Sequence, residues 1–240
     1  MQRYFINELA LKGDLVYITG QDAFHITKVM RFKEADQIYV SVNEKSFLCE
    51  IISLCTEEVK ARIIKELESN ELKIKVTLLQ GLVKKEKIEE IIKRNTELGA
   101  YEYMIVNMER SNIKMSMDDL NKKKERFDLI IKEAAEQSQR SLKPRISFYN
   151  KLKDIDYSGF DQVFICYEKT DLSDNLKNTL NKEFNNILVV IGPEGGISES
   201  EVKFFLDLPN VSFVSLGKRI LRTETAASYF LSVVSYYYEY

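Results

Sequence analysis

The chain has 240 residues with 45% hydrophobic content, enough to bury one large core or two modest ones, so one or two domains are open. Its 35 Lys and Arg against 37 Asp and Glu give a formal charge of −2, which argues against coating nucleic acid by bulk charge yet leaves room for a local basic face. Three cysteines with no C-x-x-C pair and a lone histidine, His25, argue against a metal site. The N-terminus, MQRYFINELALKGD, has no secretory h-region, and no apolar run approaches the roughly 20 residues of a bilayer span. A reduced cytoplasmic setting without a membrane partner is therefore expected.

In chain order, the first 70 residues alternate short apolar segments with turn signals: Leu15–Ile18, Ile38–Val42, Phe47–Leu54 and Val59–Ile64. Ile38, Val40 and Val42 against Tyr39 and Ser41 have the period of a half-buried strand. A short helix is expected around Asp22–Arg31, and the polar segment Glu66–Leu72 marks a boundary. The rhythm then changes to strand, helix, strand. Ile74–Gln80 reads as a strand, followed by a helix with Ile88, Ile91 and Ile92 on one face and Gly99 as its stop. Met104–Asn107 follows as a strand, then a long helix over Met117–Arg140 with Leu120, Phe127, Ile130, Ile131, Ala134 and Ala135 on one side. Gln162–Tyr167, Asn186–Ile191 and Val211–Leu216 are three further apolar runs separated by helical or turn material. This alternation predicts an α/β domain with a largely parallel sheet.

Two segments carry chemistry. NILVVIGPEGGISESEV reads as a buried strand, a glycine-rich turn and a helix start, with Ser198 and Glu201 in capping-box register. Gly192, Gly195 and Gly196 admit a close ligand, Pro193 stiffens the turn and Glu194 sets a carboxylate at its apex. Such a turn is either a ligand site at a strand end or a tight connector. Its spacing is neither G-x-G-x-x-G nor a P-loop. VSFVSLGKRILRTETAASYF repeats the pattern: a strand, a glycine turn holding Lys218, Arg219 and Arg222, then a helix capped by Thr223 or Thr225. Ala226, Tyr229, Phe230, Val233, Val234 and Tyr237 form the expected apolar stripe of that helix.

GPEGG-I-S-x-x-E-V followed by L-G-K-R-I-L-R-T-E-T-A-A resembles the ribosomal RNA small-subunit methyltransferase E family, within the SPOUT methyltransferases. EAAEQSQR at Glu133–Arg140, TELG at Thr96–Gly99, ERS at Glu109–Ser111 and the H-x-x-x-V-x-R of His25–Arg31 extend the resemblance over nearly the whole chain. Phe24, Val83 and Ile197 depart from the family's usual histidine, proline and phenylalanine. The resemblance implies a PUA-like β-barrel over residues 1–70, then a SPOUT α/β domain over residues 71–240 with a trefoil knot, S-adenosylmethionine as cofactor, and a homodimer. It implies methylation of N3 of a uridine in 16S ribosomal RNA of the small subunit.

Carried over onto this chain, the cofactor contacts expected from the resemblance are Gly192, Pro193, Glu194, Gly195, Gly196, Leu216, Gly217, Ile220, Leu221, Arg222, Thr225 and Ala226. Removing the uridine N3 proton builds negative charge on the flanking carbonyl oxygens, which a fixed cation would stabilise, and the resemblance points to Arg222, which falls on the family motif's arginine beside the glycine turn. Glu194 and Glu224 are both open as proton acceptors. Cys166 lies in an apolar strand and reads as a small buried hydrophobe, not a nucleophile. Arg31 and Arg140, on motif positions, lead the candidate RNA contacts, with Arg3, Lys28, Lys84, Lys85 and Arg145 behind them, whereas Lys122–Lys124 read as the wet face of the long helix.

Overall fold

The computed structural model describes residues 1–180 and 183–239. It divides into two compact units, residues 1–71 with 135–143, and residues 72–134 with 144–240.

The first unit is a six-stranded sheet among the described residues. Its strands are β1 (Arg3–Phe5), β2 (Leu11–Lys12), β3 (Leu15–Thr19), β4 (Gln37–Val42), β5 (Lys45–Leu54) and β6 (Glu58–Leu67), hydrogen-bonded in the order β1-β4-β5-β6-β3-β2. The inward face of β4 is as expected, with Ile38 and Val40 fully buried beside Cys49, Ile51, Val59 and Ala61, but Ser41, expected on the open face, is buried as well. Between β3 and β4, α1 (Gly20–Phe24) runs into a π-helical turn over His25–Val29, starting two residues before the expected helix. Strands β1 and β2 are too short to leave a periodic signal and were not expected from the sequence.

Residues 135–143 join this unit through polar contacts. The Asn70 side chain donates to the Gln139 carbonyl at 2.6 Å and accepts from the Ser141 amide and hydroxyl at 3.1 and 2.9 Å. The Glu71 carboxylate accepts from the Leu142 amide at 2.9 Å and pairs with the Arg140 guanidinium. The polar boundary segment is thus the receptor for the end of the EAAEQSQR motif. Because Arg140 is 5% exposed, removing the Glu71 carboxylate takes a charged partner from a cation that water cannot reach. Glu71→Ala is expected to destabilise this unit by about 3–5 kcal/mol, read from urea denaturation followed by circular dichroism.

The second unit is built on an all-parallel six-stranded sheet among the described residues, in the order β12-β10-β11-β7-β8-β9. Its strands are β7 (Lys75–Gly81), β8 (Glu102–Val106), β9 (Arg145–Tyr149), β10 (Gln162–Cys166), β11 (Asn186–Ile191) and β12 (Val211–Val214). Its helices are α2 (Lys85–Glu97), α3 (Met117–Asn121), α4 (Lys124–Gln137), α5 (Leu176–Thr179), α6 (Glu199–Leu206) and α7 (Thr223–Glu239). Both sheet faces are covered, so the central strands read as continuous apolar runs. Ile187, Val189 and Ile191 of β11 enter the core under α2 and α7, while Leu188 and Val190 enter the core under α6.

Three expectations are corrected here. The long helix over Met117–Arg140 is two helices: Ser116 caps α3, α4 starts at Lys124, and Gln139, at φ +60°, lies beyond its end at Gln137. Strand β9 was not expected; it lies at the sheet edge, where only Ile146 and Phe148 of its five residues are buried. The buried stripe of α7 is Ala226, Ala227, Phe230, Leu231 and Val234, whereas Tyr229 and Tyr237 face outward.

Candidate functional site

The site lies outside the carboxyl ends of β10, β11 and β12, the usual place for a ligand on an open parallel sheet. A cavity of about 470 Å³ is bounded by the turn after β11 and the connection between β12 and α7. Gly192, Pro193, Glu194, Gly195, Gly196, Leu216, Gly217, Ile220, Leu221, Arg222 and Ala226 all line it. Thr225 does not; it is exposed on α7. The sequence reading missed Lys87, Tyr167, Glu168, Ser215 and Thr223 on the same wall.

The turn after β11 is closed by the Gly196 amide donating to the Pro193 carbonyl at 2.9 Å. Gly196 has φ +74°, which L side chains rarely adopt. The helix after it begins as its sequence requires: the Ser198 hydroxyl accepts from the Glu201 amide, and the Glu201 carboxylate accepts from the Ser198 amide at 2.8 Å. That carboxylate also accepts from the Glu109 amide at 2.8 Å, tying the ERS segment to α6.

A buried amide holds the two segments in register. Gln80, the penultimate residue of β7, donates to the Thr223 hydroxyl at 2.9 Å and to the Gly81 carbonyl at 2.9 Å. Thr223 passes the bond on, donating to the Gly192 carbonyl at 2.7 Å. The Thr223 hydroxyl is therefore spent on the glycine turn, not on capping α7. Gln80 was missed as a site residue, although a lone carboxamide at the carboxyl end of an apolar strand run was a usable signal.

Charges of both signs surround the cavity. Lys87, in the first turn of α2, sits 3.3 Å from Glu194 and 3.6 Å from Glu224, so one ammonium serves both candidate proton acceptors. Glu224 is the more enclosed, with its side chain 14% exposed. Arg222 is exposed and pairs with no carboxylate among the described residues. Cys166 lines the cavity, but burial pushes its thiol upward, away from the reactive thiolate.

The candidate RNA contacts separate by burial. Arg3 is 4% exposed and donates to the Ser41 and Ser46 hydroxyls, and Arg140 is held by Glu71. Both are committed to the interior of the first unit, which corrects their assignment as RNA-facing. Lys28 and Arg31 are exposed. The Nδ1 atom of His25 lies 3.0 Å from the Tyr4 hydroxyl, a packing role inside the same unit.

No helix among the described residues is long and apolar enough to cross a membrane, and no cluster among them could hold a metal ion. Residues 70–235 match the family model of the RNA methyltransferase domain, and residues 18–64 match that of the RNA methyltransferase PUA domain. The chain is 38% identical to the ribosomal RNA small subunit methyltransferase E of Bacillus subtilis (strain 168), covering 98% of this chain and 96% of that one. It is 32% identical to the protein of the same name from Mesomycoplasma hyopneumoniae (strain 232), covering 97% and 98%. A Legionella pneumophila protein solved in complex with bound S-adenosylmethionine superposes with a TM-score of 0.83 at 26% identity, covering 98% and 97%. A PUA-like β-rich unit, a parallel α/β unit and these relatives along the whole chain have one reading: the protein belongs to the ribosomal RNA small subunit methyltransferase E family.

Proposed function

We propose that the protein methylates N3 of a uridine in 16S ribosomal RNA of the small ribosomal subunit, with S-adenosylmethionine as methyl donor, and that it works in the cytoplasm as a homodimer. The observation that carries this reading is the cavity itself. Two glycine turns expose backbone groups, Leu216 and Leu221 offer apolar surface for a purine, and Glu168, Lys218 and Arg219 offer both charges to a zwitterionic amino-acid tail. These residues fit the cofactor, which when bound supplies a methyl group already activated on a sulfonium.

The chain's own work is then alignment and proton management. Holding N3 in line with the methyl carbon supplies up to roughly 7–11 kcal/mol in favourable cases. As N3 loses its proton to Glu194 or Glu224, charge grows on the flanking carbonyl oxygens, and Arg222 stabilises it. Lys87 fixes both carboxylates relative to the glycine turn. Lys87→Met is expected to lower kcat/KM about tenfold by loosening that geometry, with Lys87→Arg recovering most of the loss, in a methyl-transfer assay on unmethylated 30S subunits. The homodimer is supported by apolar side chains left exposed around α7, Ile220 at 88% and Tyr237 at 50%, and sedimentation equilibrium tests it.

The decisive experiment has two steps. Calorimetric titration with S-adenosylmethionine should give saturable binding. Nucleoside mapping of 16S rRNA from a deletion strain should show one 3-methyluridine missing and restored by the wild-type gene. A missing methyl on ribose or on transfer RNA would replace the proposed substrate with that one.

A further inference from the structure

A second cavity, of about 620 Å³, opens on the same unit outside the carboxyl ends of β8 and β9. Asn107 and Asn150, the residues that directly follow these strands, line it. Asn107 donates to the Met115 carbonyl at 2.9 Å and accepts from the Met115 amide at 3.3 Å, which pins both ends of the loop between them. The far side of this loop packs against the glycine turn of the first cavity. A Cβ added at Gly195 would lie 2.6 Å from the Arg110 carbonyl oxygen, so the ERS segment, which lines the second cavity through Glu109, packs behind the glycine turn that lines the first.

The chemistry of the lining is mixed in a particular way. Met108, Leu152 and Phe204 provide an apolar floor. Lys114, Lys151 and Lys153 stand exposed at the rim, and none forms an ion pair among the described residues. Glu109 accepts from the Ser200 hydroxyl at 2.6 Å, leaving carboxylate and carboxamide groups facing the same space. A simple anion would need only the lysines. A nucleotide uses every part: phosphate for the ammonium groups, a base face for the floor, and a base edge for the carboxamides and Glu109.

We propose that this cavity is a nucleotide subsite for the RNA substrate, seating a single-stranded nucleotide that flanks the methylated one, with its phosphates on Lys114, Lys151 and Lys153. The proposal rests on the reading of the protein as an rRNA methyltransferase. Its place suits that reading, because the ERS segment alone separates Gly195 of the first cavity's turn from Glu109 of this one, within reach of a neighbouring nucleotide on the same strand.

The test is the triple variant Lys114→Gln, Lys151→Gln, Lys153→Gln, assayed on unmethylated 30S subunits at several salt concentrations. A control triple, Lys122→Gln, Lys123→Gln, Lys124→Gln, makes the same charge change at the junction of α3 and α4. The cavity variant is expected to raise KM for the subunits about tenfold and to flatten the slope of log(kcat/KM) against log salt by about 2, with affinity for S-adenosylmethionine by calorimetry unchanged. The control should stay within about twofold of wild type. Unchanged KM and slope in the cavity variant, or equal losses in both triples, would overturn the subsite. Wild-type protein that binds S-adenosylmethionine yet methylates no rRNA would overturn the functional reading itself.

Discussion

Arg222→Ala is expected to lower kcat for rRNA methylation by about 10²- to 10³-fold while leaving saturable binding of S-adenosylmethionine in place, the magnitude found when one donor to a developing oxyanion is removed. The residue is exposed at the rim of the cavity, and no carboxylate among the described residues neutralises it, so its charge is available to a substrate base. Truncation should cost little stability, because no buried partner is left behind. Arg222→Lys keeps the charge but not the planar fork, and is expected to recover only part of the activity. Single-turnover methyl transfer with saturating cofactor reads the chemical step. Wild-type rates in the alanine variant would remove Arg222 from its proposed role.

Gly195→Ala is the second large effect. The new Cβ would sit 2.6 Å from the Arg110 carbonyl oxygen and 2.9 Å from the Arg110 Cβ, against backbone and not a yielding side-chain tip. The Met108–Ser111 segment is itself held, by the Glu109 amide on Glu201 and the Ser111 amide on the Met108 carbonyl, so the strain falls on the glycine turn. A loss of about 1–3 kcal/mol in stability is expected. Affinity for S-adenosylmethionine should fall at least about tenfold, because the turn is displaced. Gly159→Ala is the matching control: an added Cβ there meets nothing within 4 Å, and both readings should stay at wild type. Calorimetry and thermal denaturation of the two variants side by side separate a displaced turn from a general cost of alanine.

Much of the architecture was legible because it rests on short-range rules. The capping box of Ser198 and Glu201, the inward residues of β4, the apolar run of β11 and the glycine turn are each written within a few consecutive residues. What escaped had either too few residues to show a period, as in β1 and β2, or a period that runs through a break, as in α3 and α4. The stripe of α7 was misread at Tyr229 and Tyr237, since aromatic side chains score as apolar whichever way the helix turns them.

The parallel sheet, the family and the pair of segments that line the cavity are written in the chain itself. Those follow from local periodicity and from motifs whose residues are adjacent in the chain. Which charges are available is set by the folded chain. Arg3 and Arg140 have the same composition signature as Arg31, yet they are buried and hydrogen-bonded while Arg31 is exposed. The grip of Lys87 on Glu194 and Glu224, and of Gln80 on Thr223, joins residues more than 100 positions apart. A charge's availability depends on its desolvation and on its partners across the fold, and no local pattern encodes either.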